Sequence, residues 1–163
     1  MEKDDIFFKI DGGRQGPIKG SSTDAAHKGE IDVFGWGWGM QGNADAHVSR
    51  GSRTTIHELE VTKRADNATT GLMSALRNNE PITMAVLTVR KAGGSPLEYL
   101  TITLEKARVT SFRIEGGEIG GQPTTVEKVR LAFQKVRIEY KDQSSKGGGK
   151  GTSTFETEVT PGT

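Results

Sequence analysis

The chain of 163 residues contains no cysteine. This absence excludes disulfide bridges, thiolate zinc sites and cysteine nucleophiles, and with them several classes of enzyme. The chain also lacks any window that approaches the roughly 20 apolar residues of a membrane-spanning helix. We therefore expect no membrane insertion, and the length predicts a single domain over residues 1–163.

An excess of either charge is also absent. Lysine and arginine together number 22, and aspartate and glutamate number 21, so the net charge gives no reason to expect nucleic acid or an anionic membrane as a partner. The first residues, MEKDDIFFKIDGG, place acidic side chains before a short apolar run. A secretory signal needs a basic start and roughly 7–15 apolar residues. We predict that any export uses a route that reads no signal peptide.

Apolar and polar residues alternate along most of the chain, which is the pattern of half-buried β-strands. The segment around residues 65–80 instead predicts a helix, in which Thr69 or Thr70 caps the start and Pro81 prevents continuation. One face of this helix carries Leu72, Met73 and Leu76. The predicted strands are 5–10, 29–39, 55–63, 82–91, 97–114, 127–141 and 152–159.

These elements predict a mainly β fold: a bent, bulged small β-barrel of two packed sheets with one flanking α-helix. Three of the predicted strands support the bending, because their apolar residues change face partway along. The changes lie near Gln134–Lys135, after Val109 and between Val33 and Phe34. They predict β-bulges, which bend strands as a small closed barrel requires.

Two segments predict irregular structure. Residues 40–54 form a long, polar, glycine-containing excursion between two strands, and loops longer than a hairpin needs often reach a partner. Residues 143–151 consist of glycine, serine and lysine after an initial glutamine, which predicts a flexible surface loop before the last strand.

A stretch of glycines and tryptophans, GWGWGMQG at residues 35–42, matches the G-x-G-x-x-G spacing of a dinucleotide-binding turn. That turn works only where a helix follows and its N-terminus meets the pyrophosphate, and here a loop follows instead. A second run, KGGGKGTST, has Gly151 after Lys150 where a phosphate-binding loop has serine or threonine. We therefore predict no cofactor.

The three histidines offer no catalytic arrangement. His27, His47 and His57 lie on separate predicted elements without ligand spacing. His47 and His57 border the long loop, which leaves a metal site there as an alternative, whereas His27 is expected to hydrogen-bond locally. No serine occupies a G-x-S-x-G turn. The sequence predicts neither a metal site nor an enzyme.

The alternation in residues 35–39 suggests another use for the glycines. If Trp36 and Trp38 point to one face and fill the core, Gly35, Gly37 and Gly39 line the opposite face and leave it flat. Such a face suits the close approach of another backbone or a bound cargo. Relief of crowding in a bent barrel strand is the alternative explanation.

Taken together, these stretches resemble the Hcp family, the tube-forming component of the bacterial type VI secretion system. The most distinctive motifs are HKGEIDVFGWGWG at 27–39 and RKAGGSPLEYLTITL at 90–104. Residues 12–27 are longer than the corresponding stretch of the family, and residues 143–163 match only loosely. The other matching segments are 5–12, 58–76, 87–111 and 127–140.

The resemblance implies a non-catalytic protein that assembles as a homohexamer, with rings that stack into a hollow tube. It implies partners as well: a spike protein (VgrG) at the tip, contractile sheath proteins around the tube, and small effector proteins carried in the lumen. It also implies a protein that is cytoplasmic before assembly and then secreted without a signal peptide, in agreement with the acidic first residues.

Carried onto this sequence, the resemblance makes Gly35, Gly37 and Gly39 lumen-facing, with Gly37 at the centre. It makes the 40–54 loop an inter-subunit or inter-ring contact through Gln41, Asn43, Asp45, His47, Arg50 and Arg53. Two alternatives are a phage-like tail-tube protein and a monomeric β-barrel that binds a small apolar ligand between Phe34, Trp36 and Trp38.

Overall fold

The computed structural model describes residues 4–42, 45–47, 54–92, 97–142 and 151–159. One short 3-10 helix spans Gly13–Gln15, and one α-helix, α1, spans Thr69–Arg77. The strands are β1 (Asp4–Asp11), β2 (Pro17–Ile18), β3 (Ile31–Gly37), β4 (Met40–Gln41), β5 (Thr55–Ile56), β6 (Leu59–Arg64), β7 (Ile82–Lys91), β8 (Leu97–Ile119), β9 (Gln122–Lys141) and β10 (Thr152–Glu158).

Six strands close into an antiparallel barrel in the order β9, β6, β3, β1, β7, β8, with β8 pairing back onto β9. The long strand β9 has two different neighbours along one edge: β6 pairs with Val126–Leu131, and β10 with Lys135–Lys141. The short strand β2 extends the sheet beside β1. The predicted mainly β fold, a small barrel with one flanking helix, is confirmed.

The barrel interior is filled by the inward-pointing residues of the alternating strands. Phe8 pairs with Leu87, and Leu87 in turn with Ile102, so that these side chains form one continuous inward row. All three are at most 1% exposed. A small barrel whose interior is filled by such rows is a packed core.

Helix α1 is shorter than predicted, and neither Thr69 nor Thr70 caps it. The residue before its first turn is Ala68, whose side chain makes no cap hydrogen bond. Thr69 is already helical, and its Oγ1 accepts the Asp66 N–H at 2.9 Å. Asp66 Oδ1 accepts the Ala68 N–H at 2.9 Å. The capping prediction is therefore wrong, because the turn before the helix uses the threonine hydroxyl.

The buried face of α1 also differs from the prediction in one residue. Leu72 and Ala75 are each 1% exposed, and Leu76 packs against the core. Met73 is 38% exposed. The small side chain of Ala75 is inconspicuous in an apolar pattern, although the close approach of the helix to the barrel buries it.

Two of the three predicted bulges are confirmed. The register of β3 against β6 shifts between Val33 and Gly35, which leaves Phe34 as the extra residue. The register of β8 against β9 shifts between Val109 and Ser111. Each shift coincides with the change of face in the apolar pattern, as expected for a β-bulge.

The third predicted bulge, near Gln134–Lys135, is wrong, because the pairing register of β8 and β9 does not shift there. Buried residues of β9 do change face between Phe133 and Val136. The pairs on either side, Glu105 with Lys135 and Ala107 with Phe133, nevertheless keep one register. The opposing strand β8 changes face at the same level, where Lys106 has a positive φ of 51°. Because both strands are irregular together, the register is preserved.

Residues 19–30, which we call the strap, connect β2 to β3. The strap folds back on itself through backbone hydrogen bonds from Gly20 N to Gly29 O, and between Ser22 and both Gly29 and Glu30. Gly20 lies directly against the start of β3. A Cβ atom on Gly20 would lie 2.6 Å from the Glu30 carbonyl oxygen and 2.7 Å from the Ile31 Cα atom.

Replacing Gly20 by alanine should therefore destabilise the protein by about 1–3 kcal/mol, since backbone atoms must move to admit the methyl group. Gly37→Ala is the matched control, because a Cβ atom there meets no described atom within 4 Å. Urea denaturation of both variants tests the difference. Equal stability of the two variants would contradict the close backbone approach at Gly20.

Candidate functional site

The tryptophans and glycines at the end of β3 lie on opposite faces of the barrel wall. Trp36 pairs with Val61, which is 1% exposed and faces the interior. Gly37 pairs with Glu60 on the outer face. Since successive residues of a strand alternate between faces, Trp36 points to the inner side. Trp38 follows the end of β3, and both tryptophans pack against the core.

A groove of about 690 Å³ lies over this outer surface, and we call it the glycine groove. Its floor includes Gly37 and Gly39, at which an added Cβ atom would meet no described atom within 4 Å. Its walls include Ile56, Glu60 and Arg130 from three other strands. At Gly37 and Gly39, therefore, no side chain of their own separates the backbone from a bound partner.

Paired charges line the wall of the glycine groove. Arg130 on β9 lies 3.0 Å from the Glu60 carboxylate on β6. Glu58 lies at the same wall and accepts a hydrogen bond of 2.7 Å from Thr110 Oγ1. Exposed pairs of this kind contribute little stability. The wall of the groove therefore carries one more carboxylate than guanidinium.

The 40–54 segment begins as a two-stranded ribbon beside the groove. Met40 pairs with Ile56 and Gln41 with Thr55, and the His57 N–H donates to the Gly39 carbonyl at 3.0 Å. Gln41 therefore lies next to the glycine groove. Further along, Asp45 Oδ1 accepts the His47 N–H at 2.9 Å. Asn43, Arg50 and Arg53 lie outside the described residues, as does 143–150 of the predicted flexible loop.

Groups suited to metal or redox chemistry do not converge in the part of the chain that the structure describes. No three histidine or acidic side chains there are placed to hold a metal ion. His27 instead bonds to Glu30 and Glu98, partly as the sequence predicts. Among the same residues, no helix is both long enough and apolar enough to cross a membrane.

The apolar-ligand alternative requires three aromatic residues around one pocket. Phe34 faces outward, is 43% exposed and carries the Arg64 guanidinium 4.4 Å from its ring centroid. It lines a separate groove with Asp32 and Arg64, whereas Trp36 and Trp38 line the glycine groove. The bulge at Phe34 separates the three side chains.

Of the three predicted glycines, Gly37 and Gly39 line the groove, whereas Gly35 lies against the Thr62 side chain and does not. The sequence did not predict the walls of the groove. Glu60, Thr62 and Arg130 come from β6 and β9, which are far from β3 in the sequence. Their outward positions in alternating strands were detectable. Their position beside Gly37 depends on strand order and register, which alternation alone does not define.

A model of the family described as "Type VI secretion system effector, Hcp" matches residues 7–140, which is most of the chain. The chain belongs to the Hcp family. Protein hcp1 of Pseudomonas aeruginosa is 37% identical to it over 151 residues, covering 90% of this chain and 89% of that protein.

Solved structures agree with this assignment. Hcp1 from Salmonella typhimurium has a TM-score of 0.74 and 33% identity, with 95% of this chain and 94% of that chain covered. A structure described as a type six secretion system protein has a TM-score of 0.83, with 96% of each chain covered, and at 23% identity it supports the fold. Ring and tube assembly is characteristic of the Hcp family. The predicted function, a structural tube protein of the type VI secretion system, is confirmed.

Proposed function

We propose that six copies of this Hcp protein close into a ring, that rings stack into a hollow tube, and that the glycine groove faces the lumen. Small effector proteins are carried against this surface. The observation that supports the proposal is the bare backbone at Gly37 and Gly39 on the floor of a 690 Å³ groove. The role is structural, with no catalytic step.

Exposed strand edges favour assembly into a closed ring. No described strand pairs with the outer edge of β10, and the β4–β5 ribbon stands apart from the barrel sheet. Free edges promote uncontrolled association unless they are covered. A cyclic ring covers them by matching one surface of each subunit to a different surface of the next.

The β4–β5 ribbon and the segment it opens supply a contact to a neighbouring subunit or ring. Met40 at its base is 50% exposed, although it is large and apolar. Gln41, Asp45 and His47 lie along the same segment. Asn43, Arg50 and Arg53 are proposed contacts on the sequence pattern alone. Residues 143–151 remain a proposed flexible loop of the single domain, 1–163.

The proposed partners follow from the type VI secretion system. They are the spike protein VgrG, the contractile sheath proteins and small effectors, with no nucleic acid and no membrane insertion. The nearly equal numbers of acidic and basic residues suit close packing of identical subunits, because strongly charged copies would repel one another. In this proposal the protein is cytoplasmic before assembly and is then exported without a signal peptide.

Light scattering on the size-exclusion peak, followed by negative-stain electron microscopy, tests the assembly. We expect a mass six times that of the 17.6 kDa chain and ring-shaped particles. A species that stays monomeric across the accessible concentrations would contradict the ring. A ligand-dependent shift of tryptophan fluorescence in such a monomer would favour the apolar-ligand alternative.

A further inference from the structure

One titratable side chain fastens the strap, residues 19–30, to the outside of the barrel. His27 is 8% exposed, and its ring stacks on Phe7 of β1 with centroids 4.2 Å apart and planes 8° from parallel. Its Nδ1 lies 3.0 Å from both carboxylate oxygens of Glu30, and its Nε2 lies 2.5 Å from Glu98 Oε1 on β8. His27 therefore links the strap to two barrel strands.

This arrangement requires a proton on each ring nitrogen. A carboxylate can only accept, and a neutral imidazole has one N–H and one lone pair. With Glu30 on one side and Glu98 on the other, only the imidazolium donates to both. Loss of one proton turns one of the two contacts into a lone pair facing a carboxylate.

The strap has a second attachment that does not titrate near neutral pH. Arg90 on β7 donates to both carboxylate oxygens of Asp24, at 2.7 and 2.9 Å, and to Asp5 at 3.1 Å. The hydrogen bond from Arg90 lowers the pKa of Asp24 to about 2. Asp24 therefore stays ionised over the pH range in which a histidine changes charge.

The charged groups on the elements packed around His27 are mostly acidic. Phe7 and Asp5 on β1 lie beside Asp32 of β3 and Arg90 of β7, since Phe7 pairs with Asp32 and Asp5 with Arg90. Arg90 supplies a cation among these acidic groups, and it pairs with Asp24 and Asp5. The acidic groups are Glu30 and Asp24 on the strap, Asp5 on β1, Asp32 on β3 and Glu98 on β8.

We propose that His27 is a pH-sensitive latch: its protonated ring holds the strap closed over Phe7, and its deprotonation loosens residues 25–30 of the strap while the Asp24–Arg90 attachment stays in place. Opening exposes the Phe7 ring, which is 4% exposed in the closed state. This inference depends on the fold of the single chain and not on the proposed lumen or cargo.

The direction in which the His27 pKa is shifted supports the latch. Burial of His27 favours the neutral ring, but the hydrogen bonds to Glu98 and Glu30 outweigh it and raise the pKa above the ordinary 6.5. Because the folded-state pKa is raised, the protonated ring stabilises the closed strap, and this stabilisation is fully present below pH 6.5. That stabilisation is lost as the pH rises through the folded-state pKa. The latch therefore loosens as the pH rises above 6.5.

Two measurements on the full-length protein test the latch. Histidine labelled with carbon-13 at Cε1 should give a His27 titration midpoint above 6.5, lowered in Glu98→Gln. Amide exchange, corrected for intrinsic base catalysis, should show protection of the strap amides falling as the pH rises above 6.5. The expected fall is about tenfold for each unit by which the His27 pKa is raised.

Two variants separate the latch from general loosening. His27→Gln should remove the pH dependence of strap protection, and His57→Gln, which removes an exposed histidine beside the glycine groove, should retain it. A His27 midpoint at or below 6.5 would overturn the proposal. So would a His27→Gln protein whose strap protection still follows pH as in the wild type.

Discussion

Replacing Lys63 by methionine should lower the free energy of unfolding by about 3–5 kcal/mol. Lys63 and Glu127 are both 0% exposed, and Lys63 Nζ lies 2.5 Å from Glu127 Oε1 and 2.8 Å from Asp66 Oδ1. Removal of the cation leaves the Glu127 carboxylate buried without its ionic partner. Burying a carboxylate without a cation costs far more free energy than the intact ion pair contributes to stability.

The position of this ion pair explains why its loss should have consequences beyond one contact. Lys63 and Glu127 pair directly across β6 and β9, and both belong to the inward series of their strands. Thr69 Oγ1, at the first residue of α1, donates to Glu127 Oε2 at 2.7 Å. The network therefore joins two barrel strands to the start of the helix, and we expect α1 to loosen first.

Chemical denaturation at one fixed protein concentration measures the effect, since subunit assembly adds to apparent stability. The double variant Lys63→Met with Glu127→Leu removes both fully buried charges and should recover part of the loss, because Asp66 still lacks its cation. Arg130→Met, which breaks the exposed pair with Glu60, is the surface control and should change stability by less than about 1 kcal/mol. A Lys63→Met protein as stable as this control would contradict the buried network.

This ion pair also shows what alternation can and cannot predict. Residues 59, 61 and 63 share one face of β6, and 127, 129 and 131 share one face of β9. The leucines and valines in these series predicted the inward face correctly. The same parity places Lys63 and Glu127 inside, but a charged residue near a strand end is usually exposed. Only the pairing of β6 with β9 brings the two charges together.

The candidate site follows the same division. The bare face of residues 35–39 could be predicted, because alternation within one strand assigns tryptophan to one side and glycine to the other. The groove walls contributed by β6 and β9 could not be predicted in this way. Neither could the first residue of α1. They depend on strand order and on local hydrogen bonds such as that of Thr69 with Asp66.

Replacing Gly37 by arginine should abolish most effector binding while leaving the fold intact. Gly37 is exposed, and a Cβ atom there meets no described atom within 4 Å, so the side chain enters open space. Surface substitutions of this kind usually change stability by about 0.5 kcal/mol or less. In the proposed ring, six arginines would project into the lumen and occupy the groove where cargo approaches the backbone.

The binding loss should be at least about tenfold, because steric exclusion and an unmatched charge both oppose the original cargo. Gly116→Arg provides the matched control. Gly116 is an exposed glycine near the end of β8, where β8 pairs with β9, and it has open space around it and does not line the glycine groove. Wild-type and variant rings are purified from the secreting bacterium. The effectors that co-purify with each are then quantified by mass spectrometry.

Three results separate the possible positions of the glycine face. Intact rings that lose effectors only in Gly37→Arg would support a lumen position. Intact Gly37→Arg rings with wild-type effector content would show that the face points elsewhere. A Gly37→Arg chain that folds with wild-type stability but forms no ring, while Gly116→Arg does, would place the face at a subunit interface. In that case the bare backbone at Gly37 would serve the close approach of a neighbouring chain, because arginine would then block ring closure before any cargo could bind.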